Sequence, residues 1–226
     1  MAREPSLSAD ATISSMRPEP MISYGRGRIV RESEWMTVYQ QDTGELLYES
    51  KFLVGGVTVS ADFLKQRWQD LPQREKYDFV QAFQAKPFLT PDDEEILDFL
   101  MDIRDINIWI TISPLLPRHS SRQRVLDFLV NRIVAQEGPK ANFYQAIEML
   151  GDTRALNPLR DVYLNYREIL NLPRRMEKLD CFDYLQCCRA LWTLSGSREY
   201  EQELREFLTD DDEEVRRWAE RLLATR

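Results

Sequence analysis

The sequence is poor in the residues that most often carry chemistry. It has one histidine, His119, and three cysteines, Cys181, Cys187 and Cys188, among 226 residues. One histidine excludes a histidine-based metal cluster, and no Cys-x-x-Cys pair is present to clamp zinc. We therefore expect buried thiols, with a redox or thioether role as the alternative, and a loop or packing role for His119, which no Gly-x-Ser-x-Gly elbow accompanies. No metal and no cofactor are expected.

Long hydrophobic runs are also missing. The longest, such as residues 52–54 and 106–112, fall far short of the roughly 20 residues that span a bilayer. Residues 1–20 are polar and interrupted by prolines, without the apolar stretch of a secretory signal. We expect no membrane span and a cytoplasmic location.

Basic residues are outnumbered. The 38 acidic residues exceed the 30 basic ones, which gives a net charge of -8. This balance argues against general nucleic-acid binding, which needs a field that attracts phosphate. Hydrophobic residues at 43% and aromatic residues at 11% are sufficient for a large core. Composition therefore indicates an acidic, folded protein.

The N-terminal quarter divides into two segments. Residues 1–32 have little periodicity and are predicted to form a flexible tail, whose arginines make it either a solvated leader or a short binding arm. From Trp35 the pattern alternates with period two, and Asp42 and Gly44 favour a turn, so residues 33–59 are predicted to form a β-hairpin and linker. A third strand at 52–54 or 57–59, or a hinge there, would follow.

Helical periodicity begins after Ser60 and continues to residue 226. Ser60 and Thr90 are typical N-caps, and Pro72 suits the first position of a helix. Apolar residues nearly encircle a central helix predicted at 121–136, so we expect it to be sandwiched. The acidic runs at 92–95 and 210–214 lack the glycine and glutamate of a calcium loop and are predicted to cap helices.

The C-terminal part repeats itself. Residues 146–154 (AIEMLGDTR) are echoed about 44 residues later by 190–198 (ALWTLSGSR), a spacing typical of paired-helix arrays. Residues 141–226, including the "Asp…Val-Arg…Ala…Leu" pattern at 211–222, resemble the HEAT-repeat (armadillo-like) family. The resemblance implies a protein-binding scaffold whose concave face is lined by the second helices, although some similar folds act on nucleic acid or as bilin lyases. The link from 165 to 182 departs from a regular repeat.

Two groups of side chains are candidates for binding a partner. The first group consists of arginines. They are expected to be either solvated surface residues or an electropositive spot that binds a carboxylate-rich or phosphate-bearing partner. The second group consists of tyrosines. Together with Tyr144 they are expected to be either half-buried repeat residues or the lining of a neighbouring groove. The candidates are Arg118, Arg122, Arg124, Tyr163, Tyr166, Arg174 and Arg175.

The sequence thus predicts a mostly α fold: a short HEAT-like α-α superhelical solenoid over residues 60–226 with a small N-terminal β-hairpin. The preferred function is a non-enzymatic protein–protein interaction scaffold or adaptor whose partner, another protein, binds the concave face or the hairpin edge. The alternatives are an enzyme on the same scaffold, similar to a bilin lyase, and, with less support, a nucleic-acid-binding repeat protein.

Overall fold

The computed structural model describes residues 27–54, 58–135, 140–170 and 178–224. In these residues the protein is mostly helical, with a small three-stranded antiparallel sheet at its N-terminal end. The strands are β1 (Arg28–Glu32), β2 (Met36–Gln40) and β3 (Leu46–Ser50). The helices are α1 (Lys51–Val54), α2 (Ala61–Arg67), α3 (Gln73–Gln84), α4 (Pro91–Asp102), α5 (Ile106–Ile112), α6 (Arg122–Val134), α7 (Ala141–Leu150), α8 (Leu156–Leu170), α9 (Lys178–Ser195), α10 (Arg198–Glu206) and α11 (Glu213–Ala224).

The sheet has the order β1-β2-β3. Strands β2 and β3 form the predicted hairpin, shifted by one residue, and Gly44 takes the positive φ of 85° that its turn requires. The prediction of a tail over 1–32 is wrong for residues 28–32, because β1 pairs with β2 through a register shift between Ile29 and Arg31. Residues 1–26 lie outside the described residues.

The segment after β3 is helical. The prediction of a strand or hinge at 52–54 is wrong, because Lys51–Val54 forms α1. Its Phe52 stacks on Trp35 at 6.1 Å between ring centroids, and Phe79 meets both rings edge-on. The Ser50 hydroxyl donates to the carbonyl of Ala82 at 2.7 Å. The sheet is therefore docked on α3, as a marginal sheet requires.

Helix starts follow the predicted capping chemistry. The Ser60 hydroxyl accepts the backbone N–H of Phe63, and Thr90 and Asp93 form a reciprocal capping box at α4. Asp212 accepts backbone N–H groups at the start of α11. Pro72 stands one position earlier than predicted, as the N-cap of α3. These local predictions succeed because a cap depends on residues within one turn.

The central helices differ from the prediction in two respects. Helix α5, which starts at the Asp105 cap, was not predicted. Helix α6 matches the predicted central helix, but Val134 at its end is 56% exposed, so α6 is not sandwiched along its whole length.

The predicted echo corresponds to two helix pairs. Helices α7 and α8 form the first pair, and α9 and α10 form the second, with α7 packed against α9. The first helix of each pair ends before a left-handed glycine, Gly151 at φ 67° and Gly196 at φ 69°. Cys187 and Cys188 are buried in α9, as predicted, and burial raises the pKa of the Cys187 thiol. Residues 171–177 of the predicted irregular link lie outside the described residues.

None of the helices in the described ranges is long and apolar enough to cross a bilayer. The described residues also contain no group of three or more histidine, cysteine, aspartate or glutamate side chains placed to hold a metal ion.

Candidate anion-binding cleft

Two of the candidate arginines bond to the ends of other helices. Nη1 of Arg118 donates to the carbonyl of Lys86 at 3.0 Å, just after α3, and Arg122 donates to the carbonyl of Leu150, the last residue of α7. Carbonyls at helix C-termini have no partner inside the helix and attract cations. Both side chains therefore hold helix ends together.

Arg124 lies at a different kind of place, the edge of an open cleft. Its Nε is 2.7 Å from Oδ1 of Asp98, and its Nη2 is 3.5 Å from Oδ2 of Asp102. The cleft has a volume of about 850 Å³ and lies where the end of α4, the start of α5 and the exposed side of α6 meet. The described residues that line it are Met101, Asp102, Arg104, Ile106, Trp109, Arg124, Phe128, Asn131, Arg132 and Ala135.

Arg132 is the most unusual side chain of the cleft. Its guanidinium lies 4.1 Å from the ring centroid of Trp109 and 5.4 Å from that of Phe128. No carboxylate or carbonyl within the described ranges pairs with it, and its Nε is buried without an acceptor. The aromatic faces therefore fix an arginine whose charge no carboxylate in the described residues neutralises.

The cleft carries an excess of hydrogen-bond donors. Trp109 is only 5% exposed. Its indole Nε1 is also buried and has no acceptor in the part of the chain that the structure describes. Tryptophan and arginine side chains are donors only. Arg104 adds an exposed guanidinium with no partner among the described residues. The Trp109 Nε1 and Arg132 Nε atoms are closed to solvent, so it is the exposed guanidinium of Arg104 that favours a ligand with acceptor oxygens and negative charge.

A second hollow adjoins the cleft. It has a volume of about 460 Å³ and shares Asp102 and Arg104 with the cleft. Its other wall includes Trp68, Phe99 and Lys76, whose ammonium lies 5.8 Å from the Trp68 ring. The two hollows are thus neighbours along one surface, with Arg104 between them.

The candidate tyrosines lie in the interior. Tyr163 is 4% exposed and Tyr166 is 7% exposed, so their prediction as a partner-binding groove is corrected to a packing role. The Tyr163 hydroxyl donates to Oε1 of Glu203 at 3.0 Å, and Tyr184 donates to Oε2 at 2.5 Å. Arg167 pairs with the same carboxylate. Burial, followed by the Glu203 charge, raises the pKa of Tyr163 to about 12.

The remaining candidates divide between the interior and the residues that are not described. His119, predicted to have a loop or packing role, is buried, accepts the backbone N–H of Ser121 at Nδ1, and has Nε2 3.3 Å from Asp98. Arg174 and Arg175 lie outside the described residues.

Sequence reasoning missed Arg104, Trp109 and Arg132. The one local signal was the i, i+4 spacing of Phe128 and Arg132 on α6. Trp109 is on α5, which was not predicted, and Arg104 is in the link before it. Their convergence depends on the packing of three separate segments.

Comparisons with known proteins identify no relative. A scan of protein-family models, a search of curated proteins and a search of solved structures each return no match to this chain.

Proposed function

We propose that this protein is a non-enzymatic interaction module, built on short HEAT-like helical repeats, that binds a segment of a partner protein in the cleft between α4, α5 and α6. The observation that carries the proposal is Arg132, which is held by Trp109 and Phe128 with no anionic partner in the described residues. Arginine and tryptophan are the residue types most enriched among those that dominate binding energy at protein interfaces.

The stacking of Arg132 favours binding for an entropic reason. A free arginine loses rotamer freedom when it binds a ligand, at a cost of about 0.5–1.5 kcal/mol for an immobilised side chain. Two ring contacts already restrict Arg132, so less freedom remains to be lost. The planar guanidinium can stack through its face and still donate hydrogen bonds from its edge.

The helical pairs support a scaffold role. The pairs α7–α8 and α9–α10 share the glycine-ended first helix, and α7 packs on α9, an arrangement that fits stacked repeats. A scaffold of this kind offers two rival surfaces, the second helices and the edge of the sheet. Each carries an exposed apolar side chain, Leu164 on α8 and Tyr48 on β3.

Site-specific photo-crosslinking tests which surface binds. A photoreactive residue is placed in the full chain at Asn131 in the cleft, at Leu164 or at Tyr48, and each protein is irradiated in a lysate of the cells that make it. We expect one partner protein to be crosslinked from Asn131 and not from the other two positions.

Two results would contradict the proposal. Capture of the same partner from Leu164 or Tyr48 but not from Asn131 would move binding to the repeats or to the sheet edge. Crosslinking of nucleic acid or a small molecule alone from Asn131 would show that the cleft serves another class of function.

A further inference from the structure

We propose that the segment received by the cleft is an extended acidic peptide, whose Asp or Glu carboxylates pair with Arg104 and Arg132 and whose neighbouring apolar side chain enters the hollow beside Trp68. This inference rests on the proposed function, because it specifies the chemistry of the segment that the same cleft binds.

The charge of the cleft indicates the charge of the ligand that it binds. Among the described residues, three arginines and one aspartate line it. Arg124 is paired with Asp98 and lies near Asp102, so these three side chains carry one positive and two negative charges. Arg104 and Arg132 are left without a carboxylate in the portion described. Together these three arginines and two aspartates leave one net positive charge, and the two guanidiniums without a paired carboxylate, one exposed and one lying against two rings, favour carboxylates as ligands.

The second hollow sets the direction of the peptide. The charged residues that belong to this hollow alone are Lys76 and Asp105, which balance, while Asp102 and Arg104 are shared with the cleft, and Trp68 and Phe99 are among its apolar lining residues. The hollow is therefore neutral and partly apolar, whereas the cleft beside α6 is cationic. A peptide that crosses both places its carboxylates near α6 and an apolar residue near α2.

The charge of the whole protein restricts where such a peptide binds. With a net charge of -8, most of the surface repels an acidic segment. A cationic cleft on an anionic protein gives specificity of location, since like-charge approaches elsewhere are unfavourable. A nucleic acid needs a longer cationic track for its phosphates, and Asp98 and Asp102 interrupt any track from α6 towards α4.

Selection from a random dodecapeptide display library tests the inference on purified full-length protein. The wild type is compared with the Arg104→Gln/Arg132→Gln variant. The matched control is Arg160→Gln/Arg198→Gln, which removes the same charge at two exposed arginines of α8 and α10. We expect enrichment of Asp and Glu in wild-type binders. Affinity for the strongest binder should fall on the order of 10-fold or more in the cleft variant, less than about 2-fold in the control, and steadily with added salt.

Each other outcome has a defined meaning. Binders that need the cleft arginines but show no acidic enrichment overturn this inference and leave the proposed function standing. Absence of any binder that needs the cleft overturns both. Tighter cleft-dependent binding of a labelled random 20-nucleotide single-stranded DNA than of the strongest peptide overturns the inference in favour of nucleic acid. If the double variant does not fold, the same binding comparison is made with Arg104→Gln alone. This variant should fold, because Arg104 is exposed and has no partner in the described residues.

Discussion

Arg167 and Arg132 are two of the arginines that lie against aromatic rings in the described residues, and they differ in what else they touch. Arg167 on α8 lies 6.0 Å from the Tyr163 ring and pairs with Glu203, which also accepts two tyrosine hydroxyls. Arg132 on α6 lies over Trp109 and has no anionic partner within the described chain. The polar groups around Glu203 satisfy one another, whereas Arg132 has donors without an acceptor in the described residues.

The difference separates a structural cluster from a candidate binding site. A buried carboxylate contributes stability when donors surround it, and removal of one member leaves the others unsatisfied. A charge without an internal partner contributes little to the fold and retains its capacity to bind another molecule. The contrast therefore predicts opposite effects of substitution in the two regions.

The largest effect on stability is expected from Glu203→Gln. Loss of the charge weakens the bonds from Tyr163, Tyr184 and Arg167, and the free energy of unfolding should fall by about 1.5–3 kcal/mol. Urea denaturation followed by circular dichroism measures this change. Glu201→Gln is the matched control, since Glu201 lies on the same helix and bonds only to exposed Arg205 among the described residues, and it should cost about 0.5 kcal/mol or less. Equal losses in the two variants would show that the cluster is not a structural unit.

A smaller effect on stability is expected from Arg132→Gln. This change removes the ring contacts with Trp109 and Phe128, worth about 0.5–1 kcal/mol, and leaves no buried carboxylate unpaired. The same denaturation measurement should therefore give a loss below that of Glu203→Gln. A loss above about 2 kcal/mol would mean that Arg132 is chiefly a structural residue, and the contrast between the regions would fail.

The stability of the folded protein should depend on pH through the cluster around Glu203. The pKa of Tyr163 is raised to about 12 in the folded protein from its ordinary value of 10. Because the folded state keeps this proton longer than the unfolded state, the contribution is complete below about pH 10 and is lost as pH rises towards 12. Tyr163→Phe should make the decline in stability over this range shallower, as measured by thermal melting at a series of pH values. An unchanged slope would contradict the assignment of this proton to the cluster.

Sequence reasoning succeeded where structure depends on near neighbours. The caps at Ser60 and Thr90 and the turn at Gly44 were predicted because each acts within a few residues. Strand β1 was missed because Arg28–Glu32 alternates poorly and is mostly exposed.

The site was harder to predict for the opposite reason. Arg124 was named from a local run of arginines, but that run also contains Arg118 and Arg122, which cap other helices. The tyrosines were named without Glu203, which is 40 residues from Tyr163 in the chain. Whether an arginine or a tyrosine is satisfied depends on distant partners, which one sequence does not reveal.

The most direct test of the central claim is the yield of photo-crosslinking from position 131 in three backgrounds: wild type, Arg104→Gln/Arg132→Gln, and Arg160→Gln/Arg198→Gln. Our account predicts that the partner is captured by the wild type and the control, and that capture falls on the order of 10-fold in the cleft variant while that variant remains folded. Equal capture in all three would contradict the claim that the unpaired arginines of the cleft bind the partner.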